Sequence, residues 1–139
     1  MNINKLLAAV ILSTTIVTSA FAGDHYQQIR NATGRVEIAG KTFLIDPMLA
    51  KKDAYPGFEN THNSQLRFTL VELPVNIENT YKGVDGIIVT HTHLDHWDPA
   101  AAKLLPKDIL IITQHEEDAQ LIRNQGFKNV KVLNGSMQF

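Results

Sequence analysis

The segment VTHTHLDHWDP, residues 89 to 99, holds three of the chain's six histidines and two aspartates directly after an apolar run. Neutral imidazole and carboxylate are ligands that zinc and similar divalent ions accept. In an extended segment alternate side chains point the same way, so His91 and His93 can reach one cation, and Asp95 and His96 follow where the chain turns. Two such pairs of ligands could hold one ion, or two ions about 3.5 to 4 Å apart. The segment therefore predicts a metal site.

Strand and helix patterns alternate around this segment. VDGIIVT, residues 84 to 90, has the pattern of a buried strand that leads directly into the histidines. Asp98 is predicted as the N-cap, and Pro99 as the first residue, of the helix PAAAKLL. The strand DILIIT, the helix EEDAQLIRNQ and the strand NVKVL follow in that order. Such an order predicts a mainly parallel sheet, in which sites lie at the carboxyl ends of strands, where the histidines fall.

A hairpin and a long loop precede this block. GRVEIAGKTFLIDP, residues 34 to 47, alternates like two strands joined by an Ala39-Gly40 turn, and Asp46-Pro47 stops the second strand. Residues 48 to 83 contain Pro, Gly and Asn without a sustained period, which predicts a long ordered loop with a short helix near its end. Four large apolar side chains favour a packed loop over a disordered one: Tyr55, Phe58, Leu70 and Leu73.

The composition indicates one globular domain and excludes several classes of function. Of 139 residues, 44% are hydrophobic, and 13 basic and 14 acidic residues give a net charge of -1. Without basic runs, nucleic acid is not an expected partner. Because the chain has no cysteine, it has neither a disulfide nor a thiolate ligand, and any metal must be held by nitrogen and oxygen.

The first 22 residues predict a signal peptide. MNINK is a short, positively charged start, LLAAVILSTTIVTS is apolar, and Ala20 and Ala22 are the small residues that precede a cleavage site at Gly23. The apolar stretch is short for a membrane span and is interrupted by polar residues, which favours a cleaved signal over an anchor. We therefore expect export to a bacterial periplasm, with residues 23 to 139 forming a partial domain that has no membrane span.

HTHLDH resembles the His-x-His-x-Asp-His signature of the metallo-β-lactamase superfamily. The similarity runs from IRNATGRVEIAGKTFLIDP through VDGIIVTHTHLDHWD to GFKNVKVL. It implies an α/β fold that is the N-terminal half of that superfamily's αβ/βα sandwich, in its branch of exported or lactonase-like metal-dependent hydrolases. It also implies metal-bound hydroxide attacking a small ester, lactone or phosphoester-type substrate. The implied cofactor is one or two zinc ions, with manganese or iron as substitutes.

The resemblance implies a role for each matching residue. His91 and His93 would bind a first metal ion, and Asp95 and His96 a second. Asp95 would also be the catalytic residue, because it would orient the attacking water. Asp46 would lie behind the ligands and hydrogen-bond to the histidine segment.

The chain departs from the superfamily pattern after His96. Complete members supply a further histidine, a bridging aspartate and a last histidine, whereas the only later histidine here is His115, which we interpret as an exposed helix-cap residue. Trp97 is interpreted as a packing residue. We therefore expect a truncated domain with weak metal binding and little activity. Its open apolar face would favour self-association or a complementing C-terminal half.

Two other interpretations remain open. The histidines could decorate a solvated loop without binding metal. Alternatively, the chain could be an exported metal-binding or interaction module without catalysis. A continuation of the reading frame that contains another Gly-x-His turn and a late aspartate and histidine would favour the hydrolase over the module.

Overall fold

The computed structural model describes residues 23 to 135, so the predicted signal peptide lies outside the described residues. This part of the chain forms a six-stranded sheet in which the strands lie side by side in chain order. The strands are β1 (His25–Arg30), β2 (Thr33–Ile38), β3 (Lys41–Ile45), β4 (Gly86–Val89), β5 (Leu110–Thr113) and β6 (Asn129–Val132). The helices are α1 (Ile77–Tyr81), α2 (Pro99–Leu104) and α3 (Glu116–Asn124). The predicted α/β class is confirmed.

The first half of the sheet is antiparallel. β2 and β3 form the predicted hairpin, and Ala39 and Gly40 at its turn have φ angles of +50° and +75°. Two positive φ angles in a two-residue turn match the right-handed twist of the flanking strands. β1 pairs antiparallel with β2 and was not predicted, because HYQQIR has only two large apolar residues and most of the strand is exposed. The sheet is therefore mixed, with an antiparallel part that precedes the predicted parallel block.

The second half of the sheet is parallel from β3 to β6, as predicted. α2 follows β4 and begins at its predicted N-cap, because the Asp98 side chain accepts a hydrogen bond from the Ala101 backbone N–H at 2.6 Å. α3 follows β5, and Gly126 beyond its end has a φ of +94°, a conformation that suits glycine. No helix between residues 23 and 135 is long and apolar enough to cross a membrane.

The core lies between one face of the sheet and helices α2 and α3. Leu44, Ile87 and Ile111 are neighbours on β3, β4 and β5, and all three are fully buried. Trp97 is 3% exposed, and its ring packs edge-on against Phe127 with the centroids 5.5 Å apart. The predicted packing role of Trp97 is confirmed. This core fixes the end of β4, from which the histidine segment continues.

The long loop between β3 and α1 is ordered, as predicted, and one buried cation holds both of its ends. Arg30 is 3% exposed, and its guanidinium donates hydrogen bonds to the carbonyls of Met48 at 2.6 Å, Ala50 at 2.8 Å and Val71 at 3.1 Å. Burial lowers the pKa of Arg30, and the negative charge of Asp98 opposes that effect. Arg30 therefore stabilises the loop at the entrance and the exit.

The middle of the loop is only partly packed. Tyr55 and Phe68 form a bridge in which each backbone N–H donates to the other's carbonyl, at 2.7 and 2.9 Å. Burial, followed by the neighbouring Asp98 carboxylate, raises the pKa of Tyr55 to about 12. Phe58 and Leu70 are 45% and 54% exposed, although the Phe58 ring stacks on that of Phe68 with the centroids 4.9 Å apart.

Candidate metal centre

The histidine segment turns back on itself beyond the carboxyl end of β4. The backbone N–H groups of His96 and Trp97 both donate to the carbonyl of His93 at 2.9 Å. This turn brings residues 95 and 96 back towards His91. As predicted, the polar side chains therefore collect at the edge of the sheet.

Three of the four predicted ligands lie together. His91, Asp95 and His96 each offer one ligand atom, and these atoms all lie within 4.8 Å of one another. The rings of His91 and His96 have their centroids 3.9 Å apart, and His96 Nε2 lies 3.6 Å from an Asp95 carboxylate oxygen. All three residues are half-buried. Two nitrogens and one carboxylate oxygen at this spacing fit a divalent ion such as zinc.

His93 lies beside this group but outside it. It is exposed, and its ring meets that of His91 edge-on, with the centroids 4.7 Å apart. The structure thus groups His91 with Asp95 and His96, whereas the sequence had paired it with His93. Metal binding by His93 stays a prediction.

Asp46 lies directly behind the cluster and is 3% exposed. One of its carboxylate oxygens accepts hydrogen bonds from His96 Nδ1 and from the Thr90 hydroxyl, both at 2.8 Å. Its other oxygen accepts from the Thr90 backbone N–H at 2.7 Å. Because the Nδ1 proton of His96 is held by Asp46, the lone pair of Nε2 is directed to the Asp95 side, which is the arrangement that metal-binding histidines adopt. The predicted contact between Asp46 and the histidine segment is present.

The backbone of Asp46 is in the left-handed region, with φ at +43°. Aspartate tolerates this conformation better than most residues do, and neighbouring groups hold it in place. The Asp46 N–H donates to the Ile88 carbonyl at 2.9 Å, and the Thr33 hydroxyl donates to the Asp46 carbonyl at 2.8 Å. The backbone of Asp46 is therefore held from both β2 and β4, which fixes the point from which its carboxylate projects.

Sequence reasoning missed three residues that organise the segment. Thr90 is held by Asp46, and Thr92 donates from both its N–H and its hydroxyl to Asp118 in α3. The alternation Thr-His-Thr-His was the sequence signal that could have revealed the two threonines, because it places a short hydrogen-bond donor before each of the first two histidines.

His115, the N-cap of α3, is exposed and makes no side-chain cap hydrogen bond. It is thus solvated, as predicted.

A cavity of about 350 Å³ adjoins Asp95. Its walls come mainly from the long loop, where the rings of Phe58 and Phe68 stack with their centroids 4.9 Å apart. Leu66 and Leu70 complete the apolar wall, and no lysine or arginine lines the cavity within the described chain. The cavity therefore offers a partly apolar surface without lysine or arginine, and the predicted metal ligand Asp95 forms part of its lining.

We expect Asp46→Ala to weaken zinc binding by about 10- to 100-fold, the usual effect of removing a hydrogen-bond acceptor from a metal-binding histidine. His96 loses the contact that orients its ring, although Asp46 itself is not a predicted ligand. Competition with a chromophoric chelator measures the change, and Asp108→Ala, which removes an exposed carboxylate, is the control. Equal affinity in both variants would show that Asp46 plays no part in metal binding.

Fold and cluster together define the class. This is an α/β sheet protein whose edge gathers histidines and carboxylates of the kind found in metal-dependent hydrolases. No protein-family model matches the chain. It is 51% identical over 112 residues to the UPF0173 protein YddR of Bacillus subtilis (strain 168), an alignment that covers 81% of this chain and 44% of that protein.

Two solved structures are similar to most of the chain. One is an isothiocyanate hydrolase from Delia radicum gut bacteria, with 54% identity and a TM-score of 0.78 over 82% of this chain and 43% of that one. The other is a possible metal-dependent hydrolase from Veillonella parvula DSM 2008, with 48% identity and a TM-score of 0.79 over 82% of this chain and 44% of that one. The resemblance to the metallo-β-lactamase superfamily is confirmed. The chain spans less than half the length of each of these relatives.

Proposed function

We propose that this chain carries the metal-binding part of a hydrolase. His91, Asp95 and His96 hold the ion, with His93 as a further ligand. The observation that supports this most directly is the convergence of three ligand atoms within 4.8 Å. The hydrogen bond from His96 to the buried Asp46 adds to it, because it leaves Nε2 free to bind the ion.

The donor set fits zinc, and manganese or iron as substitutes, because it consists of imidazole nitrogen and carboxylate oxygen. When bound, such an ion supplies a positive charge that acidifies water and polarises the bond under attack. Asp95 is 39% exposed at its side chain and borders the cavity. It is therefore placed to accept a hydrogen bond from the attacking water and to direct that water towards a substrate in the cavity.

The cavity supports a small uncharged substrate. Phe58, Phe68 and Leu70 provide apolar contact, and a phosphoester would find no lysine or arginine among the lining residues described. Esters and lactones are thus favoured over phosphoesters. Because one relative at 54% identity is named as an isothiocyanate hydrolase, isothiocyanates belong in the same panel of substrates.

A complementing segment is part of the proposal. Ile45, Ile88 and Ile112 are neighbours on β3, β4 and β5, and by strand alternation they face away from α2 and α3. A cavity of about 190 Å³ lined by Ile88, Ile112 and Leu133 opens on this side. We propose that a C-terminal half covers this apolar face, with self-association as the alternative. We also propose that the protein is exported to the periplasm.

Zinc titration tests the proposal. We expect the double variant His91→Ala, His93→Ala to lose more than about 100-fold in zinc affinity, because direct ligands are removed. Removing only a residue that hydrogen-bonds to a ligand costs up to about 100-fold. The matched control removes two exposed histidines elsewhere, His25→Ala and His115→Ala, and should bind zinc like the unaltered chain. Isothermal titration calorimetry measures both. Equal zinc uptake by the two double variants would refute the ligand assignment.

A further inference from the structure

Between residues 23 and 135 no strand pairs with Thr90 to Thr92, so other groups must fix the backbone of the histidine segment. β4 ends at Val89, and Thr90 to Thr92 lie beyond the sheet ladder. The N–H of Thr90 is taken by Asp46, from the end of β3. The N–H of Thr92 is taken by Asp118, from α3, which follows β5. Since β3 and β5 flank β4 in the sheet, the segment is held on one side by the residue that follows β3 and on the other by the helix that follows β5.

The two attachments have the same form. Asp46 accepts both the N–H and the hydroxyl of Thr90, at 2.7 and 2.8 Å. Asp118 accepts both the N–H and the hydroxyl of Thr92 on one oxygen, at 3.0 and 2.6 Å. His91 lies between the two threonines, and His93 follows the second. Fixing both threonines therefore fixes the backbone from which the first two histidines project.

Asp118 does not act as an ordinary residue of a helix start. It is the third residue of α3, a position from which an acidic side chain often bonds back to the N-cap backbone. Its carboxylate instead bonds to Thr92, which is 26 positions earlier in the chain, and the side chain of the N-cap His115 makes no cap bond. The hydrogen bonds of Asp118 are thus directed at the histidine segment.

We propose that Asp118 is a positioning residue for the metal site, acting through Thr92 on the placement of His91 and His93. The inference rests on the proposed function, because it requires that these histidines bind metal. Asp118 itself does not touch the ion. Its effect is to hold the ligands in place before the ion arrives, so that binding need not order the segment.

Asp118→Ala is expected to reduce zinc affinity by about 10- to 100-fold, which is the usual effect of replacing a residue that supports a metal ligand without binding the metal. Glu117→Ala is the matched control, because it removes the neighbouring, exposed carboxylate from the same first turn of α3. Thr92→Val, which keeps the size of the side chain but removes the hydroxyl, should show a smaller loss in the same direction. Zinc affinity is measured by chelator competition, and thermal unfolding of the metal-free variants reports any general loss of stability.

Cobalt absorption gives a readout that stability alone would not change. If Asp118 positions the ligands, the visible spectrum of the cobalt-loaded Asp118→Ala protein should differ from that of Glu117→Ala, which should match the unaltered chain. Equal zinc affinities and equal cobalt spectra in the two variants would overturn this inference while leaving the proposed function intact. Failure of the unaltered chain to bind either ion would overturn both.

Discussion

Replacing Asp98 with alanine is expected to lower the free energy of unfolding by about 2 to 5 kcal/mol, because a helix cap is lost and a buried backbone N–H is left without its charged acceptor. Asp98 is fully buried. Its two oxygens accept from the Ala101 N–H at 2.6 Å and the Ala50 N–H at 2.9 Å, so it caps α2 and holds the start of the long loop. It also supplies the negative charge that offsets the burial of Arg30. Alanine would leave all three groups without that partner.

Urea unfolding of the metal-free protein, followed by circular dichroism, measures this change. Asp108→Ala removes an exposed carboxylate and should change stability by no more than about 0.5 kcal/mol. Working without metal keeps the stability effect separate from any effect on the histidines that precede Asp98. A loss below about 1 kcal/mol would show that Asp98 is no more than an ordinary helix cap.

The second large effect concerns catalysis. We expect the 139-residue chain, given excess zinc or manganese, to turn over lactone, thioester, phosphodiester and isothiocyanate substrates at least about 100-fold more slowly than a chain extended to the length of its relatives. Asp95 is 39% exposed and His93 is exposed, so within residues 23 to 135 the site is open to water. Fixed charges stabilise a transition state far better when water is excluded.

Initial rates with and without a complementing segment test this expectation. Adding the segment in trans, or extending the chain, should raise the rate, and His96→Ala should abolish the gain. Fast metal-dependent turnover by the unextended chain, abolished by His96→Ala, would contradict the prediction. It would show that the open site is sufficient, or that a second copy of the chain completes it.

The sequence predicted the elements that position the site, because their signals are local. The apolar strand before the histidines, the Asp98-Pro99 helix start and the Asp46-Pro47 strand end each rest on neighbouring residues. Parallel strand order then sufficed to bring Asp46 to the histidine segment. The Asp118 contact could not be predicted in this way, because it joins residues 26 positions apart through two side chains that are common in any sequence.

Two other features escaped prediction for physical reasons. β1 is an edge strand with an exposed, polar sequence, and its place in the sheet depends on pairing with β2 rather than on burial. The grouping of His91 with Asp95 and His96 rather than with His93 depends on how tightly the segment turns after His93, whose carbonyl accepts two N–H groups. The alternation of side chains in an extended segment, from which His91 and His93 were paired, gives no information about how tight that turn is.

The attachment of the long loop at a few points affects which sequence changes the protein can accept during evolution. Arg30 holds residues 48, 50 and 71, and the Tyr55 to Phe68 bridge joins the loop's two arms. Nearly every residue between that tyrosine and that phenylalanine is exposed and contributes nothing to the core. Substitutions, insertions and deletions there should be tolerated while the anchors persist, except at Gly57, where an added Cβ would collide with the Ser64 and Leu66 carbonyl oxygens. Under the proposed function, such changes would alter the wall of the cavity beside Asp95, and with it the preferred substrate, without disturbing the fold.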